Sequence, residues 1–159
     1  MRALIIYFSR SGNTERIGEE LAGVLDADIE KIEDQKERRG ILGWIESGRD
    51  SIKKRTTSIK KLEHKPQSYD VTIVGTPVWA GDLTPAIRTF LKKYHRKIDN
   101  VAFFSTSKSG ETSKIYDTMK KTVDIEPIST LTITEKEIKK RNYEKKMDEF
   151  IEELKEYID

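Results

Sequence analysis

The sequence predicts an α/β fold, a parallel sheet of five strands with helices on both faces. Five short apolar runs, at about residues 2–8, 27–32, 69–76, 98–106 and 125–133, are each set against a stretch with helical or charged character. Alternation of this kind calls for parallel strands joined by right-handed crossovers. The chain of 159 residues shows no internal repeat and no linker rich in Gly, Pro or Ser, and is read as one domain, residues 1–159.

The first strand, with Leu4 to Phe8, is continuously apolar, as a central strand covered on both faces should be. Ile17, Leu21 and Val24 or Leu25 then recur at helical spacing, which predicts a helix over 14–25 with Asn13 as its N-cap. Ile41, Trp44, Ile45, Gly48 and Ile52 predict an amphipathic helix over about 41–53, with Trp44 in the core or on a docking surface. The strand at 69–76 ends at Gly75-Thr76-Pro77. Beyond it, Leu83, Ile87, Phe90, Leu91 and Tyr94 mark a helix with Thr84 as N-cap and Pro85 at its first position. Ile115 and Met119 mark the helix after the fourth strand, with Glu111 near its start. The apolar positions from Ile138 to Ile158 mark a closing helix within 134–158, broken near Asn142.

Composition narrows the chemistry. With no cysteine, disulfides, thiolate metal sites and cysteine nucleophiles are excluded. No apolar run is long enough to span a membrane and the first residues read as strand rather than leader, so a cytoplasmic protein is expected. Charge is dense but nearly balanced, at +2 overall. Residues 31–65 carry a local +5, which leaves the remainder at −3. That segment lacks the interleaved aromatics of a nucleic-acid surface and reads as a solvated face or a dock for an acidic partner.

In an open parallel sheet, ligands bind beyond the carboxyl ends of the strands, where strand order reverses. Three loops leave such ends: 9–14, 76–82 and 106–110. The first is rich in hydroxyls and precedes a helix, so it reads either as a phosphate cradle or as an ordinary capped turn. The second carries Trp79 among small and turn-forming residues, and the third carries Thr106, Ser107, Lys108 and Ser109. An anion site beside a broad aromatic suits a ligand with an anionic end and a flat end, although one loop tryptophan also packs locally in many folds. No GxSxG, HExxH, GxxxxGK[ST] or GxGxxG occurs. His64 and His95 have no motif around them, and Asp82 reads as a structural cap rather than a catalytic carboxylate. No residue is assigned a catalytic or metal-ligating role.

Three stretches together resemble the flavodoxin family. Phe8-Ser9-Arg10-Ser11-Gly12-Asn13-Thr14 is similar to its phosphate-binding loop, and Gly75-Thr76-Pro77-Val78-Trp79-Ala80-Gly81 to the loop that carries a flavin-contacting aromatic. Phe104-Ser105-Thr106-Ser107-Lys108-Ser109-Gly110 is similar to the start of the third flavin loop. The resemblance implies a flavodoxin-like three-layer sandwich with a five-stranded sheet of order 2-1-3-4-5, non-covalent FMN, and electron transfer between redox partner proteins. It implies that Ser9, Ser11, Asn13 and Thr14 hold the phosphate with the amides of residues 10–14, including those of Arg10 and Gly12. Thr76, Pro77, Val78, Trp79, Ala80 and Gly81 would meet the isoalloxazine, with Trp79 stacked on it or flanking it. Thr106, Ser107, Lys108 and Gly110 would close over the pyrimidine edge, where Lys108 could offset charge on the reduced ring. Two departures stand out: the chain is slightly basic where the family is acidic, and the third loop lacks a second aromatic. An open flavin face would suit an NAD(P)H:quinone or small-acceptor reductase, the alternative reading. A non-redox module docking through 31–65 is a third.

Overall fold

The computed structural model describes residues 1–35 and 56–158. Its strands, β1 (Ala3–Tyr7), β2 (Asp28–Lys31), β3 (Val71–Pro77), β4 (Val101–Ser107) and β5 (Thr130–Thr134), form a parallel sheet in the order β2-β1-β3-β4-β5. Helices α1 (Asn13–Leu25), α2 (Pro85–Tyr94), α3 (Ser113–Val123), α4 (Glu135–Lys140) and α5 (Glu144–Ile158) complete three layers. The predicted order 2-1-3-4-5 is the observed one. The expected helix over 41–53, Trp44 with it, and most of the basic segment 31–65 lie outside the described residues.

Side chains alternate across a strand, so β1 feeds two cores at once. Leu4, Ile6 and Phe8 face one side, where Ile87, Phe90 and Leu91 of α2 and Ile115 and Met119 of α3 pack. Ala3, Ile5 and Tyr7 face the other, against Ile17 and Leu21 of α1 and Phe150 and Leu154 of α5. Each apolar side chain fully removed from water contributes roughly 1.5–3 kcal/mol before entropy is counted, so the all-buried central strands anchor the fold. Edge strand β2 is half exposed and carries Asp28, Glu30 and Lys31, charges that blunt pairing with another sheet. Gly75 stands opposite Phe104 in the β3–β4 register. A Cβ there would lie 2.1 Å from the phenyl ring, so only glycine lets Phe104 cover the middle of the sheet.

The local signals hold with three adjustments. Thr84 caps α2, its hydroxyl accepting from the Ile87 amide, and Pro85 opens the helix. A capping box between Thr134 and Glu137 starts α4, and Arg141, at φ 52°, ends it where the break near Asn142 was expected. Helix α1 begins one residue earlier than predicted. Gly12, at φ 95°, makes the turn out of β1 and occupies the N-cap, so Asn13 is the first helical residue and caps nothing. Strand β4 starts at Val101 rather than at 98, because the Ile98 amide still bonds the His95 carbonyl of a short 3-10 turn and the chain bends at Asp99 and Asn100. Strand β5 starts at Thr130 rather than at 125, because α3 ends in a left-handed Asp124 and Pro127 lies on the approach. No helix among the described residues is long and apolar enough to cross a membrane.

Candidate functional site

The register brings the carboxyl ends of β1, β3 and β4 to one edge of the sheet, with Tyr7 beside Gly75 and Pro77 beside Thr106. The three loops that leave these ends are tied to one another. The Thr14 and Thr106 hydroxyls meet at 2.7 Å, joining the first loop to the third. The Val78 amide donates to the Thr106 carbonyl at 3.0 Å, joining the second to the third. Trp79 sets its ring edge-on to Phe8, centroids 5.4 Å apart at 85°, joining the second to the first. The sheet order thus assembles all three predicted stretches.

Within the cluster the candidate residues fall into a frame and a rim. Ser9, Thr14, Thr76, Thr106 and Ser107 are buried, while Arg10, Ser11, Ala80, Gly81 and Lys108 are exposed. Gly12, Asn13, Pro77, Val78, Trp79 and Gly110 lie between, at the boundary with solvent. The frame hydroxyls are already engaged: Ser9 Oγ accepts from the Gly12 amide at 3.1 Å, and Thr76 Oγ1 donates to the Pro77 carbonyl at 2.8 Å. A hydroxyl that accepts one bond still has a proton to donate, so Ser9 can hold its turn and reach an anion together. Trp79 packs on the core beside Val78 and is half-buried, which matches the local-packing expectation and leaves the ligand contact as an expectation.

The first turn of α1 is the electrostatic centre of the edge. Among the described residues no side chain caps the helix, so the positive end of its dipole and the amides that helix geometry leaves without an intrahelical partner face the first loop. Glu15, the acid of that turn, is drawn aside: its carboxylate accepts from Lys31 Nζ at 3.1 Å and from the Tyr7 hydroxyl at 2.9 Å. The Lys31 bond, then the Tyr7 bond, holds the Glu15 carboxyl below its ordinary range. Burial, reinforced by Glu15, pushes the Tyr7 phenol up. Glu15 is thus engaged away from the positive helix end.

The second loop turns at Trp79-Ala80-Gly81-Asp82. Trp79 and Asp82 exchange backbone hydrogen bonds of 3.0 Å each way, and Ala80 and Gly81 have φ of 49° and 73°. Asp82 does not cap α2. It is buried, its Oδ1 accepts from the Leu83 amide at 2.8 Å, and it faces Arg88 at 3.1 Å. Behind the third loop, the Tyr116 hydroxyl meets Ser105 Oγ at 2.7 Å, the Leu131 carbonyl at 2.5 Å and Thr132 Oγ1 at 3.0 Å. Burial raises the pKa of this phenol. Sequence reasoning singled out neither Arg88 nor Tyr116. A charged residue inside the apolar run Ala86-Ile87-Phe90-Leu91 was the available signal for Arg88. His64 binds Glu30 at 2.7 Å through Nδ1, and the His95 ring lies 3.0 Å from the Lys92 carbonyl, so neither joins the site.

A three-layer sandwich of this strand order, with its decorated loops at one sheet edge, defines a flavodoxin-type protein. The sequence model of the family described as Flavodoxin matches residues 2–154, and the chain belongs to that family. It is similar in structure to a flavoprotein of Lactobacillus acidophilus NCFM, solved in complex with FMN, at TM-score 0.71 and 23% identity over 87% of this chain and 97% of that one. A protein of Bacteroides eggerthii assigned as a flavoprotein gives TM-score 0.70 and 25% identity over 84% and 87% of the two chains. The two-electron reduced flavodoxin of Megasphaera elsdenii gives 0.55 and 17% over 82% and 84%. No curated protein sequence matches the chain.

Proposed function

We propose that this chain binds FMN at the three-loop edge and carries one or two electrons between redox partner proteins. The observation that carries the reading is the bare N-terminus of α1, with Glu15 drawn aside, in a loop that Phe8 joins to Trp79. The donor set fits the group. The amides of residues 10–14, with Ser9, Ser11, Asn13 and Thr14, would hold the phosphate, and family membership and the FMN-bound relative support this assignment. Thr76 to Gly81 would meet the flavin with Trp79 against the ring, and Thr106, Ser107, Lys108 and Gly110 would line its pyrimidine edge. Bound FMN supplies the one- and two-electron chemistry; the chain's residues bind it, orient it and limit its contact with water.

A reductase that passes electrons from NAD(P)H to quinones or other small acceptors is the second reading. It is favoured by a third loop that has no aromatic and whose Lys108 and Ser109 are exposed. The test is to load the purified protein with FMN, wash away the excess and photoreduce it without oxygen under an absorbance monitor. Retained flavin taking up its electrons in two resolved steps supports the carrier. A single two-electron step, with turnover of NAD(P)H and a quinone without added protein, supports the reductase. Failure to retain flavin overturns both.

A further inference from the structure

We infer that Asp82 and Arg88 are positioning residues that lock the Trp79–Asp82 turn in the shape presented to the flavin. The inference rests on the FMN reading for what the turn meets, but the lock itself is a property of this chain. Both central residues of the turn have positive φ, as a type I′ turn requires, and one of them is Ala80, a residue that disfavours that conformation. Ala80 and Gly81 are both exposed, so packing does not impose the shape on them. What holds them is the pair of 3.0 Å bonds between Trp79 and Asp82, and these form only if Asp82 is fixed.

Asp82 is fixed by an arrangement that stability alone does not explain. The residue is 3% exposed, and its carboxylate touches Arg88, itself 4% exposed, in the first turn of α2. Among the described residues, Arg88 Nε and Nη2 make no directed hydrogen bond, so the 3.1 Å contact is an ion pair of incomplete geometry. Burying two charges so sparingly bonded is generally no more stable than an apolar pair of the same volume. An apolar pair could pack α2 but could not hold Asp82 by charge. The ion pair links α2, whose Thr84 cap and Pro85 are rigidly set, to the last residue of the turn.

The experiment compares wild type with Arg88→Met, Arg88→Lys and Asp82→Asn. It reads amide hydrogen exchange without flavin and then the FMN dissociation constant. In Arg88→Met the exchange of the Trp79 and Asp82 amides should accelerate at least tenfold while Ile73 and Val74 in β3 and Phe90 in α2 keep their protection. FMN should bind at least tenfold more weakly, and Arg88→Lys should restore most of both. Should Arg88→Met fail to fold, Asp82→Asn decides, because it keeps the volume and the acceptor for Leu83. Turn amides that exchange as in wild type, or protection lost equally through β3 and α2, overturn the inference. If wild type binds no FMN, the proposed function falls, and the exchange data still judge the lock.

Discussion

The loops after β1 and β4 are built on the same turn and end in opposite electrostatics. In each, a buried serine accepts a 3.1 Å bond from the amide of a glycine three residues on: Ser9 from Gly12 and Ser107 from Gly110. Each glycine has positive φ, 95° and 76°, and each loop leads into a helix. At α3, Glu111 folds its carboxylate onto the helix end, accepting from the Ser113 amide at 3.2 Å and from the Ser113 hydroxyl at 2.5 Å. At α1, the nearby carboxylate of Glu15 is held away by Tyr7 and Lys31. One helix end is thus offset by its own chain, and the other is the end that the proposed FMN phosphate would use. The difference teaches that the same turn can lead to opposite helix ends: on the FMN proposal, the competing carboxylate and not the turn decides which end can take an anion.

Importing the α3 arrangement into the first loop should erase the difference. Ser11 precedes the N-cap of α1 as Glu111 precedes that of α3, so Ser11→Glu places a carboxylate where the phosphate would sit. Two like charges about 4 Å apart near a protein surface repel by roughly 4 kcal/mol, and FMN affinity should fall about a hundredfold or more. Ser11→Gln, which matches it in size, should lose much less, and titration of both variants by flavin fluorescence checks this. The third loop depends more on the frame behind it. Tyr116→Phe takes a partner from the buried Ser105 hydroxyl and from the Leu131 carbonyl, while Thr132 keeps its bond to Thr112, so it should lower stability by about 1–3 kcal/mol. Urea unfolding should show that loss without a change in slope.

Substituting the two glycines separates shape from charge. Gly12→Ala and Gly110→Ala each force an alanine into left-handed backbone and should each cost about 1–2 kcal/mol of stability. The second carries the added contact of a Cβ with Thr134 at 3.3 Å. Only Gly12→Ala should also reduce the preference for FMN over riboflavin, which lacks the phosphate. Equal loss of that preference in both variants would show that the loops share the phosphate.

Much of this was legible in the sequence because strand and helix periods are local signals. Five apolar runs in series gave the layers, and Thr84-Pro85 and the break near Asn142 marked helix ends by their own chemistry. The rest depended on partners distant along the chain. Asn13 reads as a cap because its side chain suits that role, while the glycine before it takes positive φ and moves the N-cap one position earlier. Asp82 read as a cap because its true partner, Arg88, sits in a helix that an apolar stripe seemed to explain fully. Tyr116 is one more aromatic until β5 brings Thr132 and Leu131 to it. Ser9 and Ser107 sit in two Ser-x-x-Gly stretches whose likeness the sequence reading did not use, and which helix end keeps its carboxylate at a distance depended on Tyr7, Glu15 and Lys31 meeting across β1, α1 and β2.

The smallest effect should come from Glu111 itself. Its bonds to the Ser113 hydroxyl and amide hold the carboxyl below its ordinary value of 4.5. A carboxyl whose pKa is lower folded than unfolded stabilises the fold above its unfolded value and loses that contribution as pH falls through the folded one. The self-cap should therefore be complete at neutral pH, begin to fade near the ordinary value of 4.5, and be lost as pH falls on through the lower folded value. Glu111→Gln should lower the melting temperature slightly at neutral pH, and the gap to wild type should close in acid. Added salt should narrow the gap too, since an exposed charge acts on the helix dipole through screened solvent. The uncharged amide should leave FMN binding at α1 unchanged. If instead Glu111→Gln drew FMN's phosphate toward α3, seen as a changed phosphorus chemical shift of the bound FMN, the two helix ends would be competitors, and the carboxylate on α3 would be what directs the ligand to α1.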